Sequence, residues 1–431
     1  CIRSPPSKTV PVSMVPRQYH GSPQSYSFHI TPCSLTASFS IPPRITAARR
    51  VFTFSISYYV LFPFPHIYAI INTVSAHGSF YLHKQKAKVR AGAGPWHFLS
   101  KEMILVPGFT THYLFGVKAY NDLPNNYLKH VISKYRWLYQ LGLQGPDIFF
   151  YNVPILRHRD YRNVGSHMHE YQVNDFFKNS LLELTEIHSR QQKEEAAAFL
   201  AGFMCHYISD SICHPFVYGR IKYRTDKKKT ECHGLHAALE NDIDAILLWK
   251  FKHKKPSEFN QTASLCLNAQ ESQFISRYLS RCINRTYYQI TEKNNFQVTD
   301  GMVARSIFAI RFGSRILSDP AGHKTHVIGS LESIFLKHPI ASKKLVTDKL
   351  SAQVRDILNL DHEVWTNPWD NSIASTTSFP DLYHQTLKKC NAVYYYLNAF
   401  LIANVSSGPP DMSALLAELG NYSYHSGLDV G

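Results

Sequence analysis

Acidic side chains are nearly missing from residues 1–102, which hold eleven Lys/Arg, eleven of the 23 prolines and a single acid, Glu102. A folded domain needs acids on its surface, and a solvated disordered region normally mixes both signs, so this stretch has the composition of neither. Paired cysteines are also lacking. The eight cysteines form no CxxC pair and no dense framework, which argues against a disulfide scaffold and for reduced thiols. There is no GxGxxG and no glycine-rich phosphate loop, so a dinucleotide or P-loop site is not expected. There is no GxSxG elbow, and a covalent serine route has no support. Period-two alternation never persists, so no extended sheet is expected.

The basic leader supplies most of the formal charge of +15, and the rest of the chain is only mildly basic. That distribution weakens the inference from a high pI to a stable nucleic-acid partner. The leading expectation is that residues 1–102 are upstream sequence and that the natural start is Met103, with a cytoplasmic product. The competing expectation is a targeting segment. Arg44, Arg49 and Arg50 precede an apolar run from Val51 to Val74, which has the length of a signal or membrane anchor and would give a secreted or anchored protein.

From residue 103 the composition becomes ordinary and the apolar residues recur at three- and four-residue steps. Helices are expected over 112–123, 126–141, 171–189, 193–214, 234–252, 270–290, 301–318, 342–358 and 380–403. The expected class is all-α, a single domain over 103–431 with its polar motifs within 112–240 and a helical extension from 260. Loops are expected at Gly142–Pro146 and at Leu360–Asp370. The second, rich in Trp, His and acids, reads either as a loop beside a pocket mouth or as a connection anchored by two tryptophans. The tail from Gly408 receives no function.

Chemistry concentrates on one helix. His206, Asp210 and His214 lie four residues apart and so share one face, and two imidazoles with a carboxylate suit a divalent metal. Pro215 is expected to end that helix. The bland reading is a pair of hydrogen-bonded core histidines. Cys205 and Cys213 on the same helix are expected to pack rather than ligate. Other segments offer further ligands. His112 opens the first helix and Asp147 follows a tight loop. His167 or His169 precedes the next helix, and His236 pairs with Glu240 at four-residue spacing, with His233 as an alternative.

This ordered set resembles the zinc-dependent phospholipase C family, whose fold is shared with zinc-dependent single-strand nucleases. The motifs are THYLFG at 111–116, GPDIFFYN at 145–152, MHE at 168–170, HYISD with HP at 206–215 and HAALENDID at 236–244. The resemblance implies a first zinc on Asp147, His169, His206 and Asp210, and a second on His214, His236 and Glu240. A third zinc would use His112 and the shared Asp210, completed in secreted members by an amino-terminal tryptophan. Here Trp96 would serve only after cleavage, so two or three Zn²⁺ are expected. Three residues separate Asp210 from His214, where secreted members have five.

Clustered zinc lowers the pKa of bound water and stabilises charge on a phosphodiester, which predicts phosphodiester hydrolysis, and the resemblance implies phospholipase C-type cleavage of a phospholipid on the glycerol side of its phosphate. Asp147 is the candidate catalytic carboxylate. Transient contact with a membrane surface is expected, and a stable nucleic-acid partner is not. The alternatives are a nucleotide or single-strand nucleic-acid phosphoesterase on the same metals, or a non-catalytic metal-stabilised binding protein.

Overall fold

The computed structural model describes residues 108–151, 164–225, 229–287, 297–335, 342–352, 354–403 and 411–431, with side chains at 229–231, 233, 262 and 335 also excluded. The leader, the apolar run at 51–74, Trp96, Met103 and the His233 side chain lie outside the described residues.

The described chain is all-α apart from one small hairpin. Helices α1 Phe109–Asp122, α2 Tyr127–Lys134 and α3 Arg136–Gly142 lead into a 3₁₀ turn, Gly145–Tyr151. Then come α4 Val164–Glu170, α5 Val173–Glu186, α6 Arg190–Arg220 and α7 Lys229–Lys252. Helices α8 Ala269–Thr286, α9 Asp300–Leu317 and α10 His323–Phe335 precede the hairpin β1 Trp365–Asn367 and β2 Asp370–Ser375. Helices α11 Phe379–Ile402 and α12 Ser413–Leu419 follow, and residues 420–431 form a closing turn.

Helix α6 is the axis. Ser189 caps it by accepting from the Gln192 amide, and Ala196, Ala197, Ala198 and Ala201 supply strong helix formers of small size. Its length and apolar composition alone would suit a membrane span, but 89 % of its most apolar window is buried inside the protein, as in a core helix. The small residues allow close approach. A Cβ on Gly202 would stand 2.1 Å from the Tyr139 carbonyl oxygen, and one on Gly142 would stand 2.1 Å from that of Phe199. The backbones of α3 and α6 are therefore in direct contact, which fixes where the following 3₁₀ turn meets α6. The Tyr394 hydroxyl of α11 bonds the Ala201 carbonyl and meets the Tyr139 hydroxyl at 3.0 Å, so α11 joins both helices.

Several expectations are corrected. The helix expected over 126–141 is broken at Tyr135, whose φ of −114° and ψ of 42° leave helical geometry. No helix spans 342–358. Apart from a short 3₁₀ turn at Ser342–Lys344 its described residues are irregular, held in part by a bridge between Val346 and Ser318 and by Asp242 accepting from the Ser351 amide and hydroxyl at 2.6 Å each. The α10 helix and the hairpin were not expected. Pro215 does not end α6, which continues to Arg220. Proline removes the amide that would bond Ser211, a cost of about 3 kcal/mol. Burial of the surrounding helix outweighs it, and Gly427 of the closing turn packs against the Ser211 carbonyl that proline leaves free.

Candidate metal centre

Each functional side chain is delivered by a definite local device. Helix α1 begins with a left-handed Gly108 and offers no side-chain cap of its own. Asp244 from α7 supplies one, accepting from the amides of Gly108 and Thr110 at 3.2 Å and of Thr111 at 2.7 Å, and from the Thr111 hydroxyl. Burial pushes Asp244 up to about 6, against the pull of these hydrogen bonds. The result ties the helix carrying His112 to the helix carrying His236 and Glu240. Asp147 is set by Gly145, whose φ of +47° is left-handed and whose absent Cβ would lie 2.2 Å from the His206 ring. The turn thus closes directly on α6.

The eight predicted residues meet in one cluster with Asp210 as its hub, seven of them buried and His236 partly so. His112 Nε2 lies 3.2 Å from Asp210 Oδ1, and His206 Nε2 lies 3.2 Å from Oδ2. His214 Nδ1 and His169 Nε2 stand 3.7 and 3.9 Å from the same Oδ2. His169 Nε2 also meets Asp147 Oδ1 at 3.2 Å. At the other end, Glu240 Oε1 is 3.0 Å from His214 Nε2 and 2.9 Å from His236 Nε2. Three sets have ligand atoms all within 4.8 Å of one another: His112–Asp147–His206, His169–His206–Asp210 and His214–His236–Glu240.

The choice left open between His167 and His169 resolves by placement. His169 enters the cluster, whereas His167 stacks on Tyr171 with ring centres 4.6 Å apart. Cys205 and Cys213 point elsewhere, toward Cys390 and Thr386.

The outer partners decide what the centre can hold. His169 Nδ1–H donates to the Gly165 carbonyl at 2.6 Å, His206 Nδ1–H to Leu143 at 3.1 Å, and His214 Nδ1–H to Tyr424 at 2.8 Å. Ser209 donates its hydroxyl proton to the His206 carbonyl, so His112 Nδ1–H donates to Ser209 Oγ. In all four rings the neutral tautomer then turns the Nε2 lone pair inward. Inside, those lone pairs face carboxylate oxygens at hydrogen-bonding distance, which repels unless a cation stands between them. Asp147 Oδ1, His206 Nε2, Asp210 Oδ2 and Glu240 Oε2 are buried without a hydrogen-bond partner. No Lys or Arg pairs with Asp147, Asp210 or Glu240 among the described residues, so three buried carboxylates must be neutralised by protons on histidine or by metal. The donor set of imidazole and carboxylate, oriented by outer hydrogen bonds, fits zinc.

Metal-free, the cluster answers with protons. Burial alone would push His214 down, but Asp210 together with the Glu240 hydrogen bond and charge raises it to about 10. His112 is raised in the same way, burial opposing and Asp210 prevailing. Glu240 is lowered to about 2, its burial outweighed by His236 and His214. Asp210 is held well below the usual carboxylate range by the surrounding imidazoles, despite burial. His206 goes the other way, because its burial exceeds the pull of Asp210.

The closing turn was missed by sequence reasoning. Besides receiving the His214 bond, Tyr424 donates its amide to the His169 carbonyl at 3.0 Å. The His425 ring stacks on His169 with centres 5.0 Å apart and its Nδ1 meets the Tyr218 hydroxyl at 3.3 Å. Burial and the neighbouring histidines hold His425 well below its ordinary pKa. Nothing local marks Tyr424 or His425, since their role depends on the chain end folding back about 200 residues from α6. Tyr218 links onward. Its ring lies 4.5 Å from that of His236 and 4.8 Å from Trp369, so the tryptophan loop stands one ring away from the cluster. Trp365 instead anchors that loop, bonding the Thr377 carbonyl and packing edge-on against Phe216.

Residues 111–295 match the family model described as zinc dependent phospholipase C. No curated protein and no solved structure matches the chain. The matched segment contains all eight clustered residues, so the resemblance carried by the motifs is shown for the segment in which they lie.

Proposed function

We propose that the chain is a zinc-dependent phosphodiester hydrolase that cleaves a phospholipid on the glycerol side of its phosphate. The family match supports a zinc-dependent hydrolase of phospholipase type. The observation that supports zinc at this centre is the inward-facing array of lone pairs and unpartnered carboxylate oxygens, which leaves it in need of cations. In this reading Asp147, His169, His206 and Asp210 hold one zinc, His214, His236 and Glu240 hold a second, and His112 with Asp210 offers a third position. Zinc bound there supplies Lewis-acid stabilisation of phosphodiester charge and a water acidic enough to react near neutral pH.

The protein's own groups do the rest. The carbonyls of Gly165, Leu143 and Tyr424 fix the tautomers of His169, His206 and His214, so no reorientation is required when a ligand enters. Asp147 sits on the 3₁₀ turn and not on a helix, with one oxygen near His169. We assign its carboxylate to orient the attacking water and accept its proton. Tyr218 and Trp369 form an aromatic wall beside His236 that excludes water from the substrate.

Turnover of phosphatidylcholine, bis-p-nitrophenyl phosphate and single-stranded DNA by one preparation tests the proposal. Release of diacylglycerol and phosphocholine is expected, with DNA left intact. Cleavage of DNA in preference to lipid would replace the substrate, and inertness toward all three by zinc-loaded protein would favour the binding alternative.

A further inference from the structure

Helices α9 and α10 follow one another in the chain, and each carries apolar residues that nothing covers. On α9 the buried residues Val303, Ser306, Ile307, Ile310 and Ser314 share one side. Phe308, Phe312 and Ile316 share the opposite side at four-residue steps and are 69 %, 52 % and 45 % exposed. On α10, Val327, Leu331 and Ile334 recur at steps of four and three and are exposed by more than half. Large side chains so exposed and so aligned on each helix form apolar stripes that a solvated surface does not need.

The charge around these stripes has one sign. Arg305, Arg311 and Arg315 flank the α9 stripe within the same face, and none has an ion pair among the described residues. The acids of the two helices are all turned away from it. Asp300 accepts from Ser280 and pairs with Arg277 of α8. Asp319 is spent capping α10, accepting from the amides of Lys324 and Thr325. Glu332 is buried and accepts from the Ser342 amide and hydroxyl. Aromatic and aliphatic side chains interleaved with arginine, with no exposed acid between them, match the interface of an anionic bilayer, where the rings enter the acyl boundary and the guanidinium groups meet phosphates. A second copy of the same face would set the same arginines against one another.

The inner side of α9 ties this surface to the metal centre. Gly313 lies directly on the Tyr151 ring, where an added Cβ would stand 2.5 Å from Cδ1. Tyr151 ends the 3₁₀ turn that carries Asp147. The outer stripe is thus separated from that turn by about one helix diameter, roughly 10 Å.

We propose that the exposed face of α9, together with the apolar stripe on α10, docks the protein on anionic phospholipid bilayers. This inference rests on the reading of the centre as a phospholipase site, and it supplies how the site meets a substrate that does not leave the membrane.

The test is co-sedimentation of the full chain with phosphatidylcholine vesicles and with mixed phosphatidylcholine–phosphatidylserine vesicles. Turnover of soluble bis-p-nitrophenyl phosphate and bound zinc are measured alongside. Wild-type protein should bind the mixed vesicles more tightly than neutral ones, and the binding should weaken with salt. Phe308→Ser with Phe312→Ser should lower vesicle affinity about tenfold or more. Arg311→Glu with Arg315→Glu should lower it about tenfold on mixed vesicles and little on neutral ones. Both variants should keep wild-type zinc content and soluble turnover, since these side chains are exposed. Unchanged vesicle binding in either variant overturns the surface, as does failure of the wild type to bind. A wild-type dimer that the Phe308/Phe312 variant converts to a monomer, with no vesicle binding, would identify a second copy as the occupant and also overturn it. Vesicle binding that follows the variants while no phosphodiester is turned over would leave the surface standing and remove the catalytic reading.

Discussion

At the scale of single residues, Asp210 and Asp147 divide binding from chemistry. Asp210 is approached by four imidazoles within 3.9 Å, whereas Asp147 is approached by one. Asp147→Asn should therefore retain most of the zinc while lowering turnover by about 10²–10⁴. Full activity in a zinc-loaded variant would remove Asp147 from its role. Proton linkage gives a second residue-scale prediction. His214 is raised from 6.5 to about 10 in the metal-free fold, so its stabilising contribution is complete below about pH 6.5 and is lost as pH rises toward 10. Glu240 is lowered from 4.5 to about 2, so its contribution is present above 4.5 and lost as pH falls toward 2. His214 and Glu240 together therefore stabilise the metal-free fold most between about pH 4.5 and 6.5. Zinc must displace the His214 proton, so zinc affinity should rise about tenfold per pH unit between about pH 6 and 8. Competition with a chromophoric chelator across that range reads the slope, and a flat profile would show that His214 carries no displaceable proton. Five of the eight clustered side chains were legible from helical spacing, which puts His206, Asp210 and His214 on one face and His236 beside Glu240, whereas His112, Asp147 and His169 were named by the order of motifs in the resemblance. Asp244, Tyr424 and His425 were not, because a cap between distant helices and a carbonyl from the chain end have no local pattern.

At the scale of elements, the α3–α6 contact sets the geometry of the centre. Gly202→Ala would force the Tyr139 carbonyl and the following turn away from α6, loosening the His206 bond to Leu143. A destabilisation of about 3 kcal/mol is expected, with weakened zinc binding, measured by urea unfolding with and without zinc. An unchanged midpoint would show that the two backbones separate without cost. The closing turn is the second element under test. Removing residues 421–431 deletes the acceptor of His214 Nδ1–H and the amide bound to His169, and should lower zinc affinity about 10–100-fold. Helix ends were legible to within a few residues where a cap stood in the sequence, as at Asn268, Thr299 and Ser378. They were misread where tertiary packing overrode the local signal, as at Pro215. They were also misread over 342–358, where Asp242 binding the Ser351 amide and hydroxyl and the Val346–Ser318 bridge hold the chain out of a helix.

At the scale of the whole molecule, the all-α class was legible from periodicity, and the order of motifs along the chain carried more than any one of them. What the sequence did not disclose was closure. The last eleven residues return to α6, the tryptophan hairpin reaches Tyr218, and α9 presses on the turn that bears Asp147. These are long-range contacts between segments that are individually unremarkable. They make the centre a joint product of the motif-bearing segment and the later helices, so metal loss should loosen the whole assembly. Chelation should lower the melting temperature at pH 8 more than at pH 6, because zinc displaces the His214 proton more easily at the higher pH and so stabilises the fold more there.

The claim on which the rest depends is that the buried cluster holds zinc. Elemental analysis of the full chain, purified without chelator and dialysed against metal-free buffer, addresses it directly. About two or more zinc equivalents per chain are predicted, falling by about one in His236→Ala and by more in Asp210→Asn. A wild-type chain that is folded and carries well under one equivalent would contradict the account.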